Sequence, residues 1–326
     1  MVFDLIAKTK SVQGTGSQET TVMTDTEQNW PSLPLEAWEP TRATLHMWTQ
    51  IVGKVRLALS PYLNHWWQVP LYVSARGLTT SAMPYKEQAL EIEFDFIDHV
   101  LSLRKSDGTR RALRLEPKTV AAFYAEVMAT LQAMNIDVKI WTMPMEIEAP
   151  IAFDKDVVHS SYDPDQAARF WRVLLSIDAV LKEFRGRFIG KASPVHFFWG
   201  SFDLAVTRFS GRRAPPMPNA DLITREGYSH EVSSVGWWAG DASVPHPAFY
   251  AYASPEPAGF AKAPLRPAAA FYDTKLSQFQ LSYDAVRTSL SPRAALLDFC
   301  QSTYEAAATL ADWNRKELER DATVTR

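Results

Sequence analysis

Residues 194–211, PVHFFWGSFDLAVTRFSG, constrain the fold more than any other stretch, because two apolar runs of period two meet there at Gly200-Ser201. Glycine in the first position of a two-residue loop predicts a type II′ hairpin turn. That turn sets a register in which Trp199 lies opposite Phe202, Phe198 opposite Asp203, Phe197 opposite Leu204 and His196 opposite Ala205. One face then carries Val195, Phe197, Trp199, Phe202, Leu204 and Val206 and is assigned to the core. The other carries His196, Phe198, Asp203, Ala205 and Thr207. His196 and Asp203 are diagonal neighbours on it, about 7 Å apart between backbones, within reach of a direct or water-bridged contact. They form the first candidate site.

Around the hairpin the chain repeats one plan. Residues 1–28 lack periodicity and read as a disordered tail, followed by an extended arm, WPSLPLEAWEP. A helix at about 41–60 follows, with Thr41 as N-cap and Leu45, Trp48, Ile51, Val52, Val55 and Leu59 on one face. Strands are expected at 71–75, around Ile92, Phe94 and Phe96, and either side of Asp107-Gly108, and a helix opens at Pro117. Asp163-Pro164 then caps a second long helix, a strand pair is centred on Gly200, strand returns at 271–283, and Ser291-Pro292 caps a last helix. Trp48 to Pro70 and Trp171 to Pro194 are separated by 22 and 23 residues. Helix, strands, helix thus occurs twice, which predicts an internal duplication. The expected fold is α+β, an antiparallel sheet or sheets covered by helices, in one integrated domain. The tail reaches residue 29, the halves are 30–161 and 162–316, and 317–326 is a second tail. The second half carries a Pro-rich, aromatic insertion at 212–270, a loop of the length that usually serves function.

With 46% hydrophobic residues and a net charge of −3, the chain can bury a large core and has no basic stripe for nucleic acid and no polybasic membrane anchor. The opening MVFDLIAKTK has the wrong charge order for a secretory signal and there is no Asn-x-Ser/Thr acceptor, so a cytoplasmic protein is expected. The single cysteine, Cys300, shares a helical face with Phe299 and Tyr304 and is read as core.

Several constellations carry chemistry. His196 oriented by Asp203 suits a general base or a metal ligand. His230, from the short strand YSHE, would complete a two-His, one-carboxylate set of the non-haem iron type; no cofactor is specified by the sequence, and a metal stays open. His65, in NHWW, and Phe198, Thr207, Trp237 and Trp238 are candidate pocket walls. Arg208, Arg212, Arg213 and Arg225 at the start of the insertion suit an anionic small molecule.

The strings LHMWTQIVGKVRLALSPYLNHWWQVPLYVSARGLTTSAMPY, VHFFWGSFDLAVTRFSGR and SHEVSSVGWW resemble the bacterial domain-of-unknown-function family numbered 5996, with likeness from about Trp30 to Trp313. The resemblance implies one integrated domain and carries no activity, cofactor or residue role. Three readings of function follow. A small-molecule enzyme would use His196 between the 195–209 hairpin and the insertion, a binding module would keep the aromatic pocket without catalysis, and a docking protein would display the Pro and Trp-rich insertion to a partner.

Overall fold

The structure is a computed structural model in which residues 29–242 and 244–321 are described. The expected tail at 1–28 lies outside them. Helix α1 runs Leu35–Leu59, begins ahead of Thr41 and takes in Pro40. Burial explains the early start: Leu35 and Trp38 are core residues, and Trp38 stacks on Phe170 with ring centroids 5.2 Å apart. Covering an indole offsets the one backbone hydrogen bond that a proline near the helix start deletes. The extended arm is correspondingly short, pinned where the Tyr283 hydroxyl donates to the Pro31 carbonyl at 2.9 Å.

Six strands follow: β1 Tyr72–Val73, β2 Gly77–Thr79, β3 Met83–Tyr85, β4 Gln88–Asp95, β5 Val100–Lys105 and β6 Arg110–Arg114, in the order β1-β2-β4-β5-β6 with β3 paired to β4. Helix α2, Val120–Ala133, is capped by Thr119, whose Oγ1 accepts from the Ala122 amide, and not by Pro117. A side-chain acceptor at this position satisfies an amide that proline cannot serve.

In the second half come α3 Pro164–Gly186, β7 His196–Phe198, β8 Asp203–Arg213, α4 Leu222–Gly227, β9 His230–Trp238, β10 Ala248–Ser254, β11 Phe271–Asp273, β12 Gln278–Ser282, α5 Tyr283–Arg287, α6 Pro292–Leu310 and α7 Arg315–Leu318. The caps expected at Asp163 and Ser291 are in place. These strands form a second sheet in the order β11-β12-β10-β9-β8-β7. Every strand pairing in both sheets is antiparallel. The 212–270 segment is therefore no loop insertion, since it supplies β9 and β10 in the middle of the sheet. Its serines and glycine fill a strand covered on both faces, so the alternation that marks a half-buried strand is missing. Residues 317–319 are also tied in, by a bridge between Phe188 and Glu319.

The two sheets meet at Leu71 and Phe197, which exchange a pair of backbone hydrogen bonds of 2.9 Å each. In each half the first strand after the leading helix sits at this junction. One side of the sheet packs on helices: Phe170 of α3 contacts Phe197, Phe202 and Trp237, Trp48 of α1 stacks on Phe123 of α2, and Phe184 meets Tyr304 of α6. Cys300 lies in this core with its thiol pushed up to about 12 by burial, which leaves it unreactive.

The hairpin has the expected register, with His196, Phe197 and Phe198 opposite Ala205, Leu204 and Asp203. Its turn is different. The left-handed residue is Phe202 (φ 58), held by stacking on Phe170, and Gly200 does not take a positive φ. Glycine at 200 leaves room for the Glu146 carboxylate, whose movable end a Cβ there would push aside.

Candidate functional site

On the side of the second sheet away from the helices, strand register brings together Asp203, Ala205 and Thr207 of β8, Trp238, Gly236 and Ser234 of β9, and Ala248, Tyr250 and Tyr252 of β10. Gly236 decides what happens next. It sits between Ala205 and Tyr250, and a Cβ there would lie 2.5 Å from the Tyr250 hydroxyl and 2.7 Å from the Leu204 carbonyl oxygen. Without that Cβ the Tyr250 ring crosses β9, and its hydroxyl donates to Asp203 Oδ2 on the next strand but one. Ser201 donates to Oδ1 at 2.6 Å.

Asp203 is 6% exposed and has no cation within ion-pair distance among the described residues. Burial raises its carboxyl from 3.8 to about 6, against the lowering effect of the Ser201 and Tyr250 hydrogen bonds. Glu146, folded over Gly200 towards Ser201, is itself raised by burial and by the charge of Asp203. Two carboxyl groups thus approach one serine. Hydroxyls continue along the face: Tyr252 stacks on Tyr250, its hydroxyl meets that of Tyr228 at 2.8 Å, and Ser234 meets Thr207 at 2.9 Å.

Beyond Thr207 the same face turns basic. His65 Nδ1 faces the carbonyls of Glu226 and Gly227 at 3.1 Å each, so it carries the proton, and Nε2 accepts from Lys191 Nζ at 2.6 Å. The Lys191 ammonium lies over Trp67 and Phe209, and the His65 and His230 rings are 5.7 Å apart.

The model of the Family of unknown function (DUF5996) matches residues 30–320, nearly the whole chain. The chain belongs to this family. No curated protein and no solved structure matches it.

In this family member the expected site residues divide between the two sides of the sheet. Asp203, Phe198, Thr207, Trp238, His65 and His230 are on the face just described. Trp237 and Arg208 are on the helix side. Trp237 is core beside Phe170, and Arg208, 1% exposed, reaches the Phe184 carbonyl among the rings of Phe184, Phe188 and Tyr304.

His196 and Asp203 do not hydrogen-bond. His196 is 0% exposed, ringed by Trp67, Tyr72 and Phe198, and neither ring nitrogen has a protein partner. Burial, with Arg56 and Arg185 nearby, lowers it to about 3, which makes it a neutral core residue. Among the described residues no three His, Cys, Asp or Glu side chains form a group able to hold a metal, so His196, His230 and Asp203 do not make the expected ligand set. Residue-by-residue reading passed over Tyr250, Tyr252 and Gly236. A tyrosine pair at spacing two opposite a mid-strand glycine is the signal that points to them.

Proposed function

We propose that the protein acts on a small molecule bound on the side of the second sheet away from the helices, between the 195–209 hairpin and the 212–270 segment. Asp203 is its acid–base group, in place of His196, with its protonation set by burial and its Oδ2 held by the Tyr250 hydroxyl. The observation that carries this reading is a nearly buried carboxyl with hydroxyl partners and no cation. A carboxyl titrating near 6 both gives and takes a proton at neutral pH, which is the requirement for general acid–base catalysis on a hydroxyl or carbonyl. The tyrosines supply flat walls with polar tips. A binding module is the second reading, favoured by the Tyr250–Tyr252 stack, and it keeps the face without proton transfer. Docking through the tryptophans is not favoured, since Trp237 is buried and Trp238 half-buried.

The spread of charge supports a cytoplasmic protein that meets neither nucleic acid nor membrane, and among the described residues no helix is long and apolar enough to cross a bilayer. In both halves the first strand lies at the Leu71–Phe197 junction, which supports duplicated halves within one integrated domain, although the strand orders beyond it differ.

A thermal-shift screen of small polar compounds against the native chain, Asp203→Asn and Tyr250→Phe tests the site. The expected hit loses affinity in both variants. A ligand bound equally by all three overturns the assignment.

A further inference from the structure

We propose that Lys191, Arg213, His65 and His230 form a seat for an oxyanion, a phosphate or carboxylate group of the small molecule. Only the link to that molecule rests on the function proposed above; the seat itself stands on its own geometry. Three separated segments build it. His65 comes from the turn after α1, Lys191 from the segment leading into β7, and Arg213 and His230 are directly opposed where β8 and β9 pair again after an irregularity following Phe209. Such irregularities re-aim side chains at the ends of sheets. His65 and Trp66 are both left-handed, with φ of 58 and 59. Two consecutive non-glycine residues in that region are strained, and strain of this kind collects at ligand clamps.

The cluster lacks a counterion. Neither Lys191 nor Arg213 has a carboxylate within ion-pair distance among the described residues, whereas the adjacent Arg212 is bound to Glu231 at 2.7 Å. The like charges act on one another: burial first, then Lys191, lowers His65, and burial, then Lys191 and Arg213, lowers His230. Lys191 has three N–H donors and spends one on His65. With both histidines neutral, Lys191 and Arg213 present two positive charges, which match the dianion of a phosphate monoester better than a single carboxylate.

The test uses the full chain and three salts, inorganic phosphate, acetate and chloride, at equal ionic strength. Phosphate is expected to raise the melting temperature above the chloride value and to bind measurably by calorimetry. Lys191→Gln and Arg213→Gln, both at exposed positions, should each weaken it at least tenfold while melting like the native chain in chloride. Acetate binding that is also lost in Lys191→Gln assigns the seat to carboxylates and supports the proposal. Phosphate acting no better than chloride, or binding the two variants as it binds the native chain, overturns it. Asp203→Asn should bind phosphate normally, so failure of the acid–base reading and failure of the anion seat give different results.

Discussion

His196 is the sharpest test of which side chains serve the site and which serve the fold. It is sealed among Trp67, Tyr72 and Phe198 with both nitrogens unpartnered by protein atoms. His196→Ala leaves a cavity and should cost about 2 to 4 kcal/mol, close to the 3 to 5 kcal/mol expected for Phe197→Ala on the helix side. His196→Leu refills most of the volume and removes two unsatisfied polar atoms, so it should be at least as stable as the native chain at pH 7.5. The pH dependence follows from the lowered pKa. The folded value, about 3, lies below the ordinary 6.5, so the unfolded chain takes up the proton first and stability is lost as pH falls from 6.5 towards 3. At pH 5 that is 1.5 pH units below 6.5, or about 2 kcal/mol at 1.36 kcal/mol per unit. Urea melts at pH 7.5 and 5.0 should therefore show the advantage of His196→Leu over the native chain growing by about 2 kcal/mol. An unchanged difference between the two pH values, or a His196→Leu variant more than about 2 kcal/mol less stable at pH 7.5, refutes the argument and returns His196 to the site.

Tyr250→Phe removes a hydrogen bond that favours the charged form of Asp203, so its carboxyl should titrate above about 6 in a carbon-detected NMR experiment; no upward shift would show that the two do not interact. Gly236→Ala puts a methyl against a backbone carbonyl and the Tyr250 ring and should cost about 2 kcal/mol or more, whereas Gly200→Ala meets only the movable end of Glu146 and should cost under about 1 kcal/mol; equal melts would contradict this. Burial lowers the Lys191 amine, so a limiting amine-reactive ester should acylate it ahead of other surface lysines, as read by peptide mass mapping, and phosphate should protect it. Asp203 is raised, so its cost to stability is absent below pH 3.8 and grows as pH rises through about 6: Asp203→Asn should be more stable than the native chain at pH 7.5, by up to about 3 kcal/mol, and lose that advantage near pH 4.

Local chemistry made much of this legible. The hairpin register follows from the position of its turn together with alternation, and Asp163 and Ser291 cap their helices because those signals act over a few residues. What was hidden depends on distant contacts. Helix α1 runs through Pro40 because Trp38 finds Phe170, a residue of the other half. Strands β9 and β10 look like loop because their composition answers to neighbours on both faces. The His196–Asp203 pairing failed for a related reason: register places the residues correctly, but Ser201 and Tyr250 occupy the Asp203 oxygens while aromatic rings close over His196. Alternation therefore put His196 and Asp203 on one side of the sheet, and Trp67, Tyr72 and Tyr250, whose contacts separate them, lie outside the hairpin.

The first sheet offers a comparison for the central claim. Counted across the junction at Leu71 and Phe197, the first half presents Glu91, Glu93 and Asp95 on the side where the second presents Asp203. Asp95 and Asp203 are equally closed to solvent at their surfaces, 6% exposed each, and Asp203 lies deeper. Burial raises both, yet Asp95 ends below its ordinary value because Arg76 and the amides of Asp98 and Ile97 favour its charge. Glu93 is likewise held by Arg104 at 2.5 Å and Ser74 at 2.6 Å. Asp95 and Glu93 are thus each given a cation, and Asp203 is given two hydroxyls and a second acid. The first arrangement stabilises the chain at neutral pH and the second costs it stability, which is the cost expected where a group is held ready for proton transfer.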